Sequence, residues 1–375
     1  MRETFLHRPM KITFLLPHAG VTGGVRVICC IAECLKLRGH EVAVISLPRK
    51  RPKLRRGLYA LLRGKYPWGG SVRSTSGHPF FSGTKVSHHV IDRHRPIVDG
   101  DVPDGDWVVA GWFETAHWAA RLSESKGRKA HFIQQYDANF LPECQERVDA
   151  AWRLPLRKIV CAQWLSELGE RRFGTGPLPI VCNGIDTALF DAPPRFRGRP
   201  PKLGFLYSRE RVKGLFVARE VIARVRERIS NLQIVAFGSH YYPKMHPLPG
   251  QCEFHLNPAQ EDLKKLYAKC DVWLCCSESE GFHLPTHEAM ACRCPVVSTR
   301  VGGPMDMIGH GIDGFLAHPG NVEELAEYVT RILTSGENEW TELSRRAYEK
   351  ARRYSWPASA SLFEQALLGK DGPER

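Results

Sequence analysis

Apolar positions fall along this chain in two alternating rhythms: short, near-continuous apolar runs, and longer stretches with apolar residues every three or four positions. KITFLLPH from Lys11 is the first such run, and Val25, Ile28, Ile31, Ala32 and Leu35 then recur at helical spacing up to Leu37. EVAVISL from Glu41 follows the Gly39-His40 turn. Strand, glycine loop, helix and strand in that order make a βαβ unit, and such units build parallel sheets. Further strands are predicted at DWVVAGWF (Asp106), AHFIQQY (Ala130), KIVCA (Lys158) and PIVCNGID (Pro179), with helices around Pro142 to Trp152 and Gln163 to Arg172.

The rhythm breaks at DAPPRFRGRPPK, Asp191 to Lys202, where four prolines and four basic residues leave little room for a helix or a central strand. It then restarts with KLGFLYS, a helix over Gly214 to Arg228, LQIVAFGS, a helix over Pro258 to Lys269, VWLCCSE, a helix from Pro285, PVVST, FLAHP and a helix over Val322 to Leu333. Two similar α/β halves joined by a linker imply a cleft between facing strand ends, where a ligand should sit.

Composition adds limits. A chain of 375 residues suggests two domains of ~150 to 200 residues each. With 43% hydrophobic and 25% charged residues it is neither fibrous nor disordered in class. No run approaches the ~18 apolar residues that span a bilayer, and the N-terminal segment reads as a first buried strand instead of a signal peptide. These features lead us to expect a cytoplasmic protein. The twelve cysteines sit inside apolar runs, as at Cys29-Cys30, Cys161, Cys182 and Cys275-Cys276, and are expected to behave as small hydrophobes in a reduced compartment. Cys292 and Cys294 have no second pair at zinc-finger distance, so no metal is expected.

The net charge of +13 calls for a polyanionic partner or serves solubility alone. Much of the excess lies between Arg49 and Trp68, where eight Lys or Arg residues stand with no acid and Leu54, Leu58, Leu61 and Leu62 fall at helical spacing. Two readings stay open: a basic amphipathic helix lying on an anionic leaflet at the inner face of the cell membrane, or a solvated insertion. Nucleic acid is not expected, since no binding motif accompanies the charge.

Three loops carry candidate chemistry. HAGVTGGVRVI places Gly20, Gly23 and Gly24 ahead of a helix, where backbone N–H groups can meet an anion, although the spacing matches neither the dinucleotide fingerprint nor the P-loop. SRERVKG from Ser208 puts Arg209 and Lys213 at the carboxyl edge of the second sheet, two cations suited to a diphosphate. SESEGFHLPTHEAMACRCPVV from Ser277 follows an apolar strand and holds Glu280 and Glu288, with seven residues between them, around a glycine turn and a Pro-initiated helix. Such carboxylates favour neutral hydroxyls over a bare phosphate, so sugar and ribose are natural partners.

At these residues the chain resembles a glycosyltransferase of family 4. The resemblance rests on Glu280 to Glu288 as an E-x7-E motif within EGFxLPxxEAMAC, on Val296-Val297 and Gly302-Gly303, on Arg209 with Lys213-Gly214, on Asn183-Gly184-Ile185-Asp186 and on Gly23-Gly24, and it covers about Lys11 to Trp356. It implies an α/β GT-B fold, two Rossmann-like α/β/α domains facing each other across a cleft, with a C-terminal helix crossing back to the first. The implied bounds are 1–190 for an acceptor-side domain with the basic insertion at about 49–70, 191–201 for the linker, 202–354 for the nucleotide-sugar domain and 355–375 for the final helix.

The resemblance further implies retaining transfer from a nucleotide sugar to a glycan or lipid-linked acceptor in envelope or exopolysaccharide synthesis, with no cofactor and no divalent metal. Arg209, Lys213 and Glu280 are the implied catalytic residues. Glu280 would grip sugar hydroxyls, Glu288 the ribose, and Arg209 and Lys213 the diphosphate, while Gly23, Gly24, Gly281, Phe282, His283 and Leu284 line the donor. Where many relatives carry a histidine, FIQQYDANF from Phe132 offers Gln135, Tyr136 and Asp137 as acceptor or sugar contacts, a hint of the branch with rhamnosyl and other deoxysugar transferases. His283 stands where glycine is usual, and Pro304, Met305 and Asp306 stand where relatives have a glutamate. Two other classes remain: a non-catalytic polyanion or membrane-surface binder, motivated by the charge, and a glycoside hydrolase using the two glutamates as its acid pair.

Overall fold

The computed structural model describes residues 8–17, 20, 22–48, 80–81, 83–239 and 252–369. The basic segment from Arg49 to Trp68 lies outside them. Contacts divide the chain into one unit of Met1–Phe132 with Asp149–Lys158 and another of Ile133–Val148 with Ile159–Arg375.

Two parallel six-stranded sheets carry the fold. The first comprises β1 (Lys11–Leu16), β2 (Glu41–Ser46), β3 (Ser87–Val90), β4 (Trp107–Ala110), β5 (Arg128–Ile133) and β6 (Arg157–Val160), in the order β3-β2-β1-β4-β5-β6. The second comprises β7 (Lys202–Leu206), β8 (Gln233–Gly238), β9 (Cys252–Leu256), β10 (Val272–Cys275), β11 (Val296–Thr299) and β12 (Phe315–Ala317), in the order β12-β11-β10-β7-β8-β9. Counted from its own first strand, each sheet runs 3-2-1-4-5-6, the doubly wound order whose direction reverses beside strand 1. The central strands are buried on both faces, and this is why they read as apolar runs without alternation.

The helices follow the same logic. α1 (Gly23–Leu37) buries Val25, Ile28, Ile31, Ala32 and Leu35, and Thr22 caps it by accepting from the amide of Val25 at 3.4 Å. α2 (Phe113–Ala119), α3 (Gln145–Arg153) and α4 (Gln163–Leu168) complete the first half of the sequence. In the second, α5 (Leu215–Arg228), α6 (Gln260–Ala268), α7 (Leu284–Ala291), α8 (Gly302–Met307), α9 (Val322–Thr334), α10 (Glu337–Ala351) and α11 (Trp356–Leu368) connect and cover the strands. Leu203, Phe205, Val221, Ile222, Leu274, Val329 and Trp340 share one buried cluster there.

Two stretches differ from expectation. PIVCNGID makes no strand of its own; only an isolated bridge joins Ile180 to Val160, and the amide of Ile185 bonds the carbonyl of Tyr354 at 3.2 Å. Residues 191–201 lack helix and strand, as their prolines require, yet they are fastened. The fully buried Asp271 accepts from Arg195 Nη1 and from the amides of Gly198 and Lys202, each at 2.8 Å. A buried carboxylate demands such partners, and this one holds the segment to the second sheet. α11 begins at the Ser355 cap, and Ser359 Oγ donates to the carbonyl of Cys182 at 2.6 Å. None of the twelve cysteines is joined in a disulfide. No helix among the described residues is long and apolar enough to cross a membrane.

Candidate functional site

β7 and β10 are neighbours in register, Leu203 beside Val272 and Phe205 beside Leu274, and the order of the second sheet reverses between them. Loops leaving the carboxyl ends of two such strands diverge and open a crevice, the usual ligand position in an open α/β sheet. The β7 loop carries Lys213, and the β10 loop carries Glu280. The amide of Glu278 bonds the carbonyl of Val212 at 2.7 Å and ties the loops together. Gly214, at φ +69°, lets them touch: a Cβ there would lie 1.9 Å from the carbonyl oxygen of Cys276.

This junction brings Lys213 Nζ to 3.0 Å from Glu280 Oε1 and 2.9 Å from Oε2. Ser277 Oγ donates to Oε1 at 2.6 Å, and His283 Nε2 stands 3.6 Å from the same oxygen. Oε2 receives only Lys213 among the described residues and keeps capacity for another donor. Burial opposes charge on Glu280, but His283, Lys213 and Ser277 outweigh it and hold the carboxyl below its ordinary value. Lys213 is likewise resisted by burial and held above its ordinary value by Glu280. The result is a carboxylate ionised at neutral pH. That suits gripping hydroxyls, and it does not suit a glycosidase acid, which must keep its proton.

Beside it, Cys275 Sγ lies 3.8 Å from His283 Nε2. Burial works against the thiolate, yet His283 outweighs it and brings the thiol down to about 7, while Cys275 and Glu280 together raise His283 against the same burial. Cys275 is therefore more than the small hydrophobe expected, unlike Cys276, Cys292 and Cys294, whose thiols burial drives up.

The motif's turn has an unexpected author. Gly281 serves close packing: a Cβ there would lie 1.9 Å from the carbonyl oxygen of Gln134. The left-handed residue is His283, at φ 64° and ψ 70°, capping α7, with Pro285 second in the helix. A non-glycine residue in that region costs about 1–2 kcal/mol. His283 Nδ1 hydrogen-bonds Thr286 Oγ1 at 2.6 Å, which locks the ring. Gly302 and Gly303 pack under the loop, and the amide of Gly303 bonds the carbonyl of Gly281 at 2.8 Å. The carbonyl of Gly281 also accepts from Trp164 Nε1 at 3.1 Å.

The other expected residues divide. Gln135, Tyr136 and Asp137 sit next to the Gly281 contact; Gln135 Nε2 donates to Asp137 Oδ1 at 3.0 Å, and Arg172 lies over the Tyr136 ring. Nearby, Asn139 Nδ2 donates to Ser279 Oγ at 2.8 Å and the Phe140 ring faces Lys213 Nζ at 5.3 Å. Phe282 is buried; at the start of α7 Pro285 has no N–H and the amide of Thr286 bonds the carbonyl of His283 at 3.2 Å, which leaves the amide of Leu284 without an acceptor inside the helix. Glu288 meets the hydroxyl of Tyr267, which donates to Oε2 at 2.8 Å. Arg209 is exposed and makes no ion pair among the described residues. Gly23 and Gly24 open α1 in the first unit. Asp306 accepts from the amide of Gln163 at 2.9 Å and so helps cap α4. Ser277, Cys275 and Tyr267 are the participants missed from sequence. Ser277, three residues before Glu280 in the same loop, was within reach of inspection; Tyr267 comes from another helix and leaves no local signal.

Residues 187–354 match the family model described as glycosyl transferases group 1. Over 106 residues the chain is 38% identical to N-acetyl-alpha-D-glucosaminyl L-malate synthase of Bacillus anthracis, across 28% of this chain and 25% of that protein. Over 199 residues it is 29% identical to sulfoquinovosyl transferase SQD2 of Arabidopsis thaliana, across 49% of this chain and 38% of that one. The matched region thus spans well under half the length of these curated relatives. Anabaena Alr3699/HepE, solved in complex with UDP and glucose, has the same fold over 96% of this chain and 100% of its own, at TM-score 0.69 and 15% identity. The fold is that of GT-B glycosyltransferase structures, and the stretch bearing Lys213, Glu280 and Glu288 matches the group 1 glycosyl transferases.

Proposed function

We propose that this protein is a retaining, metal-independent glycosyltransferase of family 4, moving a sugar from a nucleotide-sugar donor to a glycan or lipid-linked acceptor in envelope or exopolysaccharide synthesis. The observation that carries the reading is the Lys213–Glu280 pair at the reversal point of the second sheet. In this reading residues 202–354 bind the donor and 1–190 face the acceptor, with 191–201 as linker and 355–375 as the closing helix. A protein of the same fold, solved in complex with UDP and glucose, supports a nucleotide-sugar donor.

Glu280 accepts from sugar hydroxyls through its open oxygen, and Glu288 holds the ribose. When the bond to the diphosphate breaks, negative charge develops on the leaving oxygens. Lys213, the exposed Arg209 and the Leu284 amide at the start of α7 stabilise it, the largest catalytic term available at such a site. The departing phosphate oxygen then takes the acceptor proton on the same face, so no side chain need serve as nucleophile. Gln135, Tyr136 and Asp137 border the sugar and shape its choice, in the manner of the deoxysugar branch. The basic segment 49–68 is a candidate for attachment to an anionic inner leaflet in a cytoplasmic enzyme.

The test is transfer from a panel of nucleotide sugars in excess chelator, with the anomeric configuration of the product read by NMR. Turnover undiminished by chelator and a retained configuration are expected. Loss of turnover on chelation overturns metal independence, and inversion overturns the retaining mechanism.

A further inference from the structure

The floor of this site carries ligand chemistry beyond what sugar transfer uses. Among the described residues, Cys275, Glu280 and His283 are the group of metal-ligating side chains whose donor atoms gather within 4.8 Å of one another, and all three are buried. The Sγ to Nε2 separation is 3.8 Å and the Nε2 to Oε1 separation is 3.6 Å. A tetrahedral zinc ion with Zn–S ~2.3 Å and Zn–N or Zn–O ~2.0 Å sets those separations at about 3.6 and 3.3 Å. Those two separations need to close by only a few tenths of an ångström, while the third, from Sγ to the carboxylate, lies within 4.8 Å and closes with a side-chain adjustment.

Two further contacts favour a cation. His283 Nδ1 is engaged by the buried Thr286 Oγ1, the kind of outer contact that leaves Nε2 to face a metal. Ser277 Oγ, 2.6 Å from Glu280 Oε1 and 3.6 Å from Cys275 Sγ, is a further oxygen at the edge of the cluster and donates to the carboxylate that would ligate the ion. The competitor is Lys213, whose ammonium holds both Glu280 oxygens.

We propose that Cys275, Glu280 and His283 bind a thiophilic divalent cation of the zinc class, in competition with Lys213, and that its occupation shuts the donor site. A thiolate, a carboxylate and a neutral imidazole balance its two charges; the proton shared by the Cys275–His283 pair leaves to solvent and Lys213 is freed from Glu280. The cation is an inhibitor here, not a cofactor. The inhibition rests on the donor-site reading; the cation site itself rests on the side-chain geometry.

The test titrates the full chain, kept reduced by a phosphine, with Co2+. One equivalent should produce a near-ultraviolet thiolate-to-metal band and tetrahedral visible bands, and Zn2+ should bleach both. Cys275→Ala and His283→Gln should each abolish the spectrum, with folding checked by circular dichroism. Thr286→Val should weaken binding about 10- to 100-fold. Lys213→Ala should tighten it about tenfold, the equivalent of ~1.4 kcal/mol of lost competition. Zn2+ should suppress sugar transfer in the parent protein and lose that effect in Cys275→Ala. Absence of a thiolate band, or a band surviving in both Cys275→Ala and His283→Gln, overturns the proposal. Nucleoside diphosphate binding without a Co2+ spectrum sinks the cation site alone; the spectrum without nucleotide binding sinks the donor reading alone.

Discussion

Glu280 and Glu288 belong to one motif with seven residues between them and are buried alike, at 4% and 2% exposure, yet their surroundings differ in kind. Glu280 sits on a loop under a lysine ammonium, beside a histidine and a serine hydroxyl. Glu288 sits inside α7 and takes a neutral phenol from Tyr267. A carboxylate stripped of water needs either an opposite charge or hydrogen-bond donors. The loop end supplies a charge that an incoming diphosphate can share, whereas the helix end supplies a fixed neutral grip. One end is built for changing charge and the other for holding position.

The largest expected effect comes from breaking the charged end. Lys213→Ala should lower turnover by about 10²–10³-fold, as loss of one charge-stabilising donor does, and should also weaken nucleoside diphosphate binding. Glu280→Gln should cost about 10²-fold in turnover through misplacement of the sugar while nucleoside diphosphate affinity stays near that of the parent. Steady-state kinetics and calorimetry separate the two patterns. Equal loss of nucleotide affinity in both would erase the division of labour.

Acid sharpens the comparison next. Burial lowers His287, beside Glu288, to about 4, and its Nε2 donates to the carbonyl of Ala351 at 3.0 Å. Between its unfolded value of ~6.5 and about 4, the unfolded chain binds a proton that the folded chain refuses. Stability is therefore lost as pH falls through that window, by up to about 1.4 kcal/mol per pH unit. Glu280, held low in the folded state, behaves otherwise: its contribution is complete above the unfolded value of ~4.3 and disappears only as pH falls below it. Urea unfolding at pH 7, 6 and 5 should show a slope that His287→Gln reduces and Glu280→Gln leaves in place. His131, lowered to about 3 by burial, adds to the slope in that range, while His283, held above its ordinary value, opposes it as pH falls toward ~6.5.

The smallest effect belongs to the neutral grip. Tyr267→Phe removes one hydrogen bond to Glu288 and should destabilise by about 1–2 kcal/mol, with KM for the donor rising more than kcat falls. A larger fall in kcat than in apparent affinity would place Glu288 in the chemical step.

Much of the fold was legible because a strand buried on both faces cannot hide its composition. What escaped was built from other material. β3 reads SHHV and β9 reads CEFHL, edge strands whose side chains are largely outside the core, so neither gives an apolar run. α10 buries Trp340, Ser344, Ala347 and Ala351, a helical stripe made mostly of small residues that hydrophobicity alone passes over. At the site, the E-x7-E motif announced both carboxylates, and the SRERVKG loop announced Lys213. Their direct pairing was not announced, because the adjacency of β7 and β10 closes a separation of 67 residues. The Cys275–His283 contact was hidden in the same way, behind a cysteine at the end of an apolar strand.

The most direct test of the donor-site assignment is a thermal-shift panel of nucleoside diphosphates and nucleotide sugars on the parent protein and on Lys213→Ala. A ligand bound only by the folded state raises the midpoint, and at a hundred times its Kd it adds about 2.7 kcal/mol. The account predicts that one nucleotide family raises the midpoint of the parent and that Lys213→Ala loses most of that rise. A panel with no response at millimolar ligand, or a rise undiminished in Lys213→Ala, would contradict it.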